Sequence, residues 1–172
     1  MTITRPAPGE FAQFYAGYIG KVPDSGPVAL LQEQIGVLEK LRALPDDQGD
    51  FRYADGKWSV KEVLGHVADA ERVFSYRLTR IARGDKTPLA GFDENEWAKA
   101  APHRRRRVAD IVDELIAVRR ATLALIDSLD QVTIDNVGVA NSHPVSARAI
   151  CWILAGHTAH HLGILSERYG VS

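Results

Sequence analysis

Four stretches of this chain repeat their apolar residues at helical spacing, and each is bounded by residues that start or stop helices. No other feature restricts the fold as strongly. From Val28 to Leu44, Val28, Leu31, Ile35, Leu38 and Leu41 form one stripe, with Pro27 suited to the first helical position and Pro45 ending the run. From Val60 to Arg83 the stripe is Val60, Val63, Leu64, Val67, Phe74, Leu78 and Ile81. Ser59 and Glu62 have the spacing of a capping box, Trp58 can staple onto Val63, and Gly84 is a stop. From Val108 to Leu129, Val108, Ile111, Leu115, Val118, Thr122, Leu125 and Leu129 repeat nearly by heptads. From Ser146 to Tyr169, Ser146 is the candidate N-cap, Gly170 the stop, and Ile150, Ile153, Leu154, Ile164 and Leu165 mark the inner face.

Four amphipathic helices of this length predict an all-α four-helix bundle. The connection between the second and third helices, Gly84 to Arg107, is long and contains Pro88, Gly91 and Pro102. A short helix is expected within it, from Asp93 to Ala100. Loops of this length in compact domains are often functional. Strand signals are weak, with Val132 to Val139 the one candidate for an extended piece. The 172 residues suit one domain, residues 1–172, with residues 1–27 as an arm. The arm carries Phe11, Phe14, Tyr15 and Tyr18, which are expected to pack across the bundle.

Lysine plus arginine total 21 and aspartate plus glutamate 22, so the net charge is -1. That balance disfavours a nucleic-acid binder. Arg104 to Arg107 is one short basic run, read as a solvated edge or a contact for a carboxylate-bearing ligand. The single cysteine, Cys151, can form neither an internal disulfide nor a thiolate cage, and is read as a small packing residue. No apolar run approaches the ~20 residues of a membrane span. Met1 to Gly20 lacks the apolar region of a signal peptide, so a cytoplasmic protein is expected.

The histidines carry the chemistry. Stepping about 100° per residue from Ile150 places His157 near 340° and His161 near 20°, in the middle of the apolar face. His160 falls about 80° to one side. Two imidazoles one turn apart on a buried face need polar partners. They have the spacing that lets two ring nitrogens meet on one metal, and equally that of a buried pair bridged by water. The sequence His157-Thr158-Ala159-His160-His161 lacks the glutamate of the HExxH motif, which disfavours zincin-type proteolysis. A third ligand would have to come from another helix. His66 sits at the edge of the second stripe, a position open to a ligand role or to a boundary residue bonded to backbone. His103 and His143 stand beside prolines in loops and are expected to be solvent-exposed.

Two segments resemble a known family. Gly56 to Glu71, GKWSVKEVLGHVADAE, is similar to the second-helix signature of the DinB/YfiT-like superfamily, and Ala155 to Leu165, AGHTAHHLGIL, to its fourth-helix signature. Phe92-Asp93 with Trp97, and the arm from Phe14 to Ile19, also fit. The resemblance implies an up-down-down-up bundle with a divalent metal held by His66, His157 and His161. It implies zinc or nickel first, with manganese or iron as alternatives. It further implies a homodimer and a small-molecule substrate. The family includes S-transferases and isomerases that use low-molecular-weight thiols, as well as proteins labelled metal-dependent hydrolases. Three imidazoles leave coordination positions open, as in catalytic rather than structural sites. The expected function is therefore that of a metal-dependent thiol S-transferase or hydrolase, the alternative being a non-catalytic metal-binding or stress-response protein. Around the metal, His160, Glu71, Arg77 and Trp97 are the candidates for orienting a ligand or meeting substrate. Glu71 has a competing reading as the partner of Arg119 or Arg120, and Arg77 as a surface ion pair. No residue stands out as a dedicated general base.

Overall fold

The computed structural model describes residues 2–171. After a 3-10 turn at Gln13–Tyr15, the helices are α1 (Ala16–Ile19), α2 (Pro27–Leu41), α3 (Asp46–Gly49), α4 (Val60–Ala82), α5 (Glu94–Ala100), α6 (Val108–Asp127), α7 (Gln131–Ile134) and α8 (Ala147–Tyr169). A hairpin, β1 (Val137–Ala140) and β2 (His143–Ser146), precedes α8. The protein is a four-helix bundle of α2, α4, α6 and α8, in which α2 and α4 each pack against both α6 and α8. Its helices begin where local chemistry dictates. Ser59 and Glu62 close a complete capping box: the Glu62 amide donates to Ser59 Oγ at 3.3 Å and the Ser59 amide to Glu62 Oε2 at 2.7 Å. Asp93 caps α5, and Ser146 accepts from the Ala149 amide at 3.0 Å to cap α8. Gly170, at φ 67°, turns the chain so that the Val171 amide reaches the Leu165 carbonyl at 3.1 Å.

Side-chain bonds fix the helix directions. Arg42, just after α2, pairs with Asp113 near the start of α6 at 2.6 Å, so these two helices are antiparallel. Asp46 takes both the Val108 amide at 2.7 Å and Lys61 at 3.6 Å, which puts the starts of α4 and α6 at one level and makes them parallel. The Tyr169 hydroxyl donates to the Trp58 carbonyl at 2.6 Å, so α8 ends where α4 begins. The order is up-down-down-up. Because α4 and α6 run the same way, the chain must return along the 23-residue α4, about 34 Å at 1.5 Å per residue. That return is the physical reason for the long connection.

Val132 to Val139 is not one extended piece. Asp130 and Thr133 form their own capping box and start α7, and only Val137 onward is strand. Asn141 and Ser142 at φ 50° and 64° make the two-residue turn whose twist matches an antiparallel hairpin. Leu89 of the long connection joins this hairpin, its amide donating to the Val139 carbonyl and its carbonyl accepting from Asn141, both at 2.9 Å.

The core has two apolar clusters. One gathers Phe74, Leu78, Ile81, Ile126, Ile150 and Leu154 with arm residues Ile3, Ile19 and Val22; the other gathers Leu38, Val63, Leu64, Ile111, Leu115 and Leu165. Between them lies a polar layer to which every bundle helix contributes. Arg119, fully buried, donates to Glu71 Oε1 and Oε2 at 2.8 and 2.7 Å, to the Leu31 carbonyl at 3.0 Å, to Gln34 Oε1 at 2.8 Å and to Thr158 Oγ1 at 2.9 Å. These five bonds satisfy the guanidinium completely. The Glu71 carboxylate is thus committed to Arg119, not to a histidine. Three residues of the basic run form ion pairs, Arg104 with Glu62 at 2.7 Å, Arg106 with Glu114 and Arg107 with Asp110, while Arg104, Arg105 and Arg107 stay exposed, as a solvated edge would. No helix among the described residues is long and apolar enough to cross a membrane.

Candidate metal centre

The capping box sets the register of α4 so that His66, near its second turn, faces α8. On α8, His157 and His161 stand one turn apart on the side facing α4. The two helices bring the three imidazoles together, with one potential ligand nitrogen of each within 4.8 Å of the others. His66 Nε2 and His157 Nε2 are 3.1 Å apart, and the ring centroids are 5.1 Å (His66–His157), 4.8 Å (His66–His161) and 4.5 Å (His157–His161) apart. No fourth histidine, cysteine or carboxylate joins this group among the described residues.

All three rings are buried. Burial pushes His66 down to about 4 and His161 to about 3; the neighbouring rings push His161 the same way, while Glu94 and Asp69 partly offset the effect at His66. His157 is held well below its ordinary value, again by burial first and then by its histidine neighbours. Near neutral pH the cluster is uncharged. Each neutral imidazole has one N–H and one lone pair. Lone pairs crowded together out of water are unfavourable unless an electropositive centre sits among them. His161 Nδ1 is moreover buried without any hydrogen-bond partner. Three neutral nitrogen donors of this kind suit a divalent cation of the zinc or nickel type, and the residues present fit such a group.

The cluster forms one wall of a cavity of about 260 Å³. The arm reaches it because Gly156 lets α8 approach the Tyr18 backbone; a Cβ there would overlap the Tyr18 carbonyl. Tyr18 then meets His157 edge-on at 5.3 Å, Phe74 does so at 5.6 Å, and Trp58 lies 4.8 Å from His66. The arm aromatics divide: Tyr15 and Tyr18 line the cavity together with Phe14, yet Phe14 stays 57 % exposed instead of packing across the bundle. The long connection supplies Gly91, Phe92 and Glu94 as the facing wall. Glu94 is the one carboxylate on the cavity wall among the described residues. Sequence reasoning missed it, because only the strand-like bridge of Leu89 fixes where this segment lands.

Of the four residues expected around the metal, only Arg77 lines the cavity. Glu71 belongs to the polar layer. His160 packs between Tyr18 at 5.2 Å and His161 at 5.1 Å, half-buried beside the three-histidine cluster. Trp97 does not cover the mouth; it stacks on Phe92 at 4.6 Å and remains 44 % exposed. His143 is exposed, as its loop position suggests, but His103 is not. Its ring is buried against Gly65, where a Cβ would overlap it, and Nε2 lies 3.4 Å from Asp69. The missed signal was Gly65 itself, a helix-interior glycine that makes room for a ring. Cys151 is buried, and burial raises its thiol to about 12, consistent with packing alone.

Fold and site together define a helical bundle with a buried three-histidine cluster that fits a metal ion. Residues 30–165 match the DinB superfamily, and the chain belongs to that family. Similar proteins include a "Putative metal-dependent hydrolase" of Geobacillus thermodenitrificans, 37% identical over 82 residues that span 46% of each chain. Another, OB0413 of Oceanobacillus iheyensis, carries the same name and is 25% identical over 126 residues, 72% of each chain. YfiT of Bacillus subtilis, also so named, is 30% identical over 74 residues, 42% of this chain and 41% of that one. The solved structure of YfiT, described as a probable metal-dependent hydrolase with an unusual four-helix bundle topology, superposes with a TM-score of 0.74 at 20% identity. It covers 98% of this chain and 95% of that one.

Proposed function

We propose that this protein is a metal-dependent enzyme acting on a small molecule, with His66, His157 and His161 holding a divalent cation, zinc or nickel first and manganese or iron as alternatives. The observation that carries the reading is the convergence of three buried, neutral imidazoles within 4.8 Å on the wall of a cavity. The names of the relatives support hydrolysis; transfer of a low-molecular-weight thiol to an electrophile fits the same open donor set. When bound, the cation would supply Lewis acidity, drawing the pKa of a water or thiol in its open position toward neutrality. The chain's own residues do the rest. Phe74, Phe92, Tyr15 and Tyr18 give the cavity its aromatic surface. Glu94 is the carboxylate placed to accept or return a proton there. Burial raises the phenols of Tyr15 and Tyr18 above their usual value, so both remain hydrogen-bond donors near neutral pH.

The test is metal content followed by turnover. Protein purified without added metal and its His157→Ala variant are analysed for bound elements, then melted with and without zinc or nickel. A cation at about 100 times its Kd adds about 2.7 kcal/mol, a rise of roughly 5–10 °C in Tm for a chain of this size. Wild type should show that rise and the variant should not. Panels of esters and amides, and of thiols paired with electrophiles, then separate hydrolysis from S-transfer. A wild type that holds no metal and does not respond to it overturns the proposal. A metal-loaded protein that turns over nothing in either panel leaves a non-catalytic metal-binding protein.

A further inference from the structure

Arg77 stands apart from the other buried cations. Lys61, Arg77 and Arg119 are the buried lysines and arginines among the described residues. Lys61 has Asp50 at 3.0 Å and Arg119 has Glu71 at 2.7 Å. Arg77, 4 % exposed, has no carboxylate within ion-pair distance among the described residues. Among the described residues its partners are neutral: Nη2 donates to the Ala90 carbonyl at 2.8 Å and the Tyr15 hydroxyl lies beside the guanidinium, and Arg77 lines the cavity that contains the histidines. A guanidinium cannot shed its charge, and removing it from water without a counter-ion is costly. The Phe74 ring partly compensates it, its centroid lying 5.9 Å from the guanidinium carbon.

We propose that the cavity binds organic acids, with a single substrate carboxylate seated on Arg77. The inference rests on the reading of the histidine cluster as the reacting centre only for where the other end of the molecule lies. One buried guanidinium balances one negative charge, and Glu94, which lines the same cavity, works against a second. Phe74 separates the two ends: it lies 5.9 Å from the guanidinium carbon and 5.6 Å from the His157 ring. Arg77 and His157 are therefore no more than about 11.5 Å apart. With ordinary contacts at both ends, at most about 4–5 Å remains between the carboxylate carbon and the reacting atom, or no more than three to four bonds. The lining between them is aromatic, so that linker is apolar. The substrate class is a short organic acid carrying its electrophilic or nucleophilic atom within about three to four bonds of the carboxylate. The amide of the same acid would leave the guanidinium unneutralised.

The experiment is a matched pair titrated calorimetrically into metal-free protein: 3-phenylpropionate against 3-phenylpropionamide, equal in shape and different in charge. The acid is expected to bind at least about tenfold more tightly, in line with a charge-assisted bidentate contact. Arg77→Gln should reduce that preference to less than about twofold, and Arg77→Lys should keep part of it. His157→Ala should leave it intact, so loss of the metal reading and loss of this one are distinguishable. Circular dichroism confirms the fold of each variant, and the acid–amide comparison in wild type needs no variant at all. Equal binding of acid and amide, no binding of the acid at millimolar concentration, or a preference that survives in folded Arg77→Gln would each overturn the proposal.

Discussion

Replacing Arg119 by methionine removes the hub of the polar layer while nearly keeping its volume. Five hydrogen bonds disappear, and the Glu71 carboxylate, 1 % exposed, loses both of its partners on that side chain. Breaking a buried pair from one end costs about 3–5 kcal/mol, because the surviving charge has no compensation. For a chain of this size that is a fall in Tm of roughly 6–20 °C. The double variant R119M/E71M removes both charges. Gln34 keeps its 2.9 Å bond to the Ala155 carbonyl, and the Thr158 hydroxyl can turn to a carbonyl one turn back on its own helix. Two apolar side chains would then join the clusters on either side. The double variant should recover at least about 2 kcal/mol relative to R119M. Urea unfolding followed by circular dichroism at one pH measures all three proteins. A loss below about 1 kcal/mol in R119M, or a double variant no more stable than the single, would refute the reasoning that this layer is held by its charge pair.

Three further outcomes follow from the same contacts. His66 and His161 have folded pKa values of about 4 and 3, below the ordinary 6.5, and His157 is depressed as well. Between these values the unfolded chain binds protons that the folded protein refuses, so the metal-free protein loses stability as pH falls below about 6.5, by about 1.4 kcal/mol per unit per histidine. Urea midpoints in chelator at pH 7.5 and 5.5 check this, and a flat profile contradicts it. Gly156→Ala places a methyl group against the Tyr18 carbonyl. Overpacking of about 1–3 kcal/mol outweighs the ~1 kcal/mol gained in helix propensity, and proteolysis of residues 1–20 should accelerate. A raised Tm with a protected arm would contradict that. Ser59→Ala opens the capping box of α4 and should cost about 0.5–2 kcal/mol in thermal melts. No change would mean that Glu62 holds the helix start through Arg52 and Arg104 alone.

What could be read in the sequence is what local chemistry decides. The capping box at Ser59 and Glu62, the N-cap at Ser146 and the stop at Gly170 each act within a few residues, so helix limits and the face carrying His157 and His161 were legible. The position of His66 at the edge of its stripe was legible too, and in the bundle an edge is where α4 meets α8. His103 was misjudged because its burial depends on Gly65, 38 positions earlier in the chain. Trp97 was open from the sequence to a place at the site or to packing, because a seven-residue helix gives no inner face of its own; Phe92 decides how it lies. Glu94 became meaningful only once the cavity was formed, since it needs the path of the connection; Arg77 was named from the sequence as a substrate-side candidate, but its burial and its lack of a carboxylate partner among the described residues are properties of the fold. The stretch of α8 from Ala147 to Ile153 is buried nearly all round because the arm wraps it, and a wheel built for a helix with one wet face cannot show that.

The connectivity accounts for the location of the site as well as for its roof. In a bundle of alternating directions, short loops would join neighbouring helices at their ends. The seam between α4 and α8 would then be covered by side chains alone. Here α4 and α6 are parallel, so the connection must travel the length of α4 before α6 can start. On the way Leu89 pins it to the hairpin, Gly91, Phe92 and Glu94 face the histidines, His103 settles on Gly65, and Arg104 reaches the capping carboxylate of Glu62. The same residue that starts α4, and so sets the register of His66, thereby also anchors the far end of the segment that covers it. A change in this segment acts on the cavity from both ends at once, through the wall it forms and through the helix start it braces.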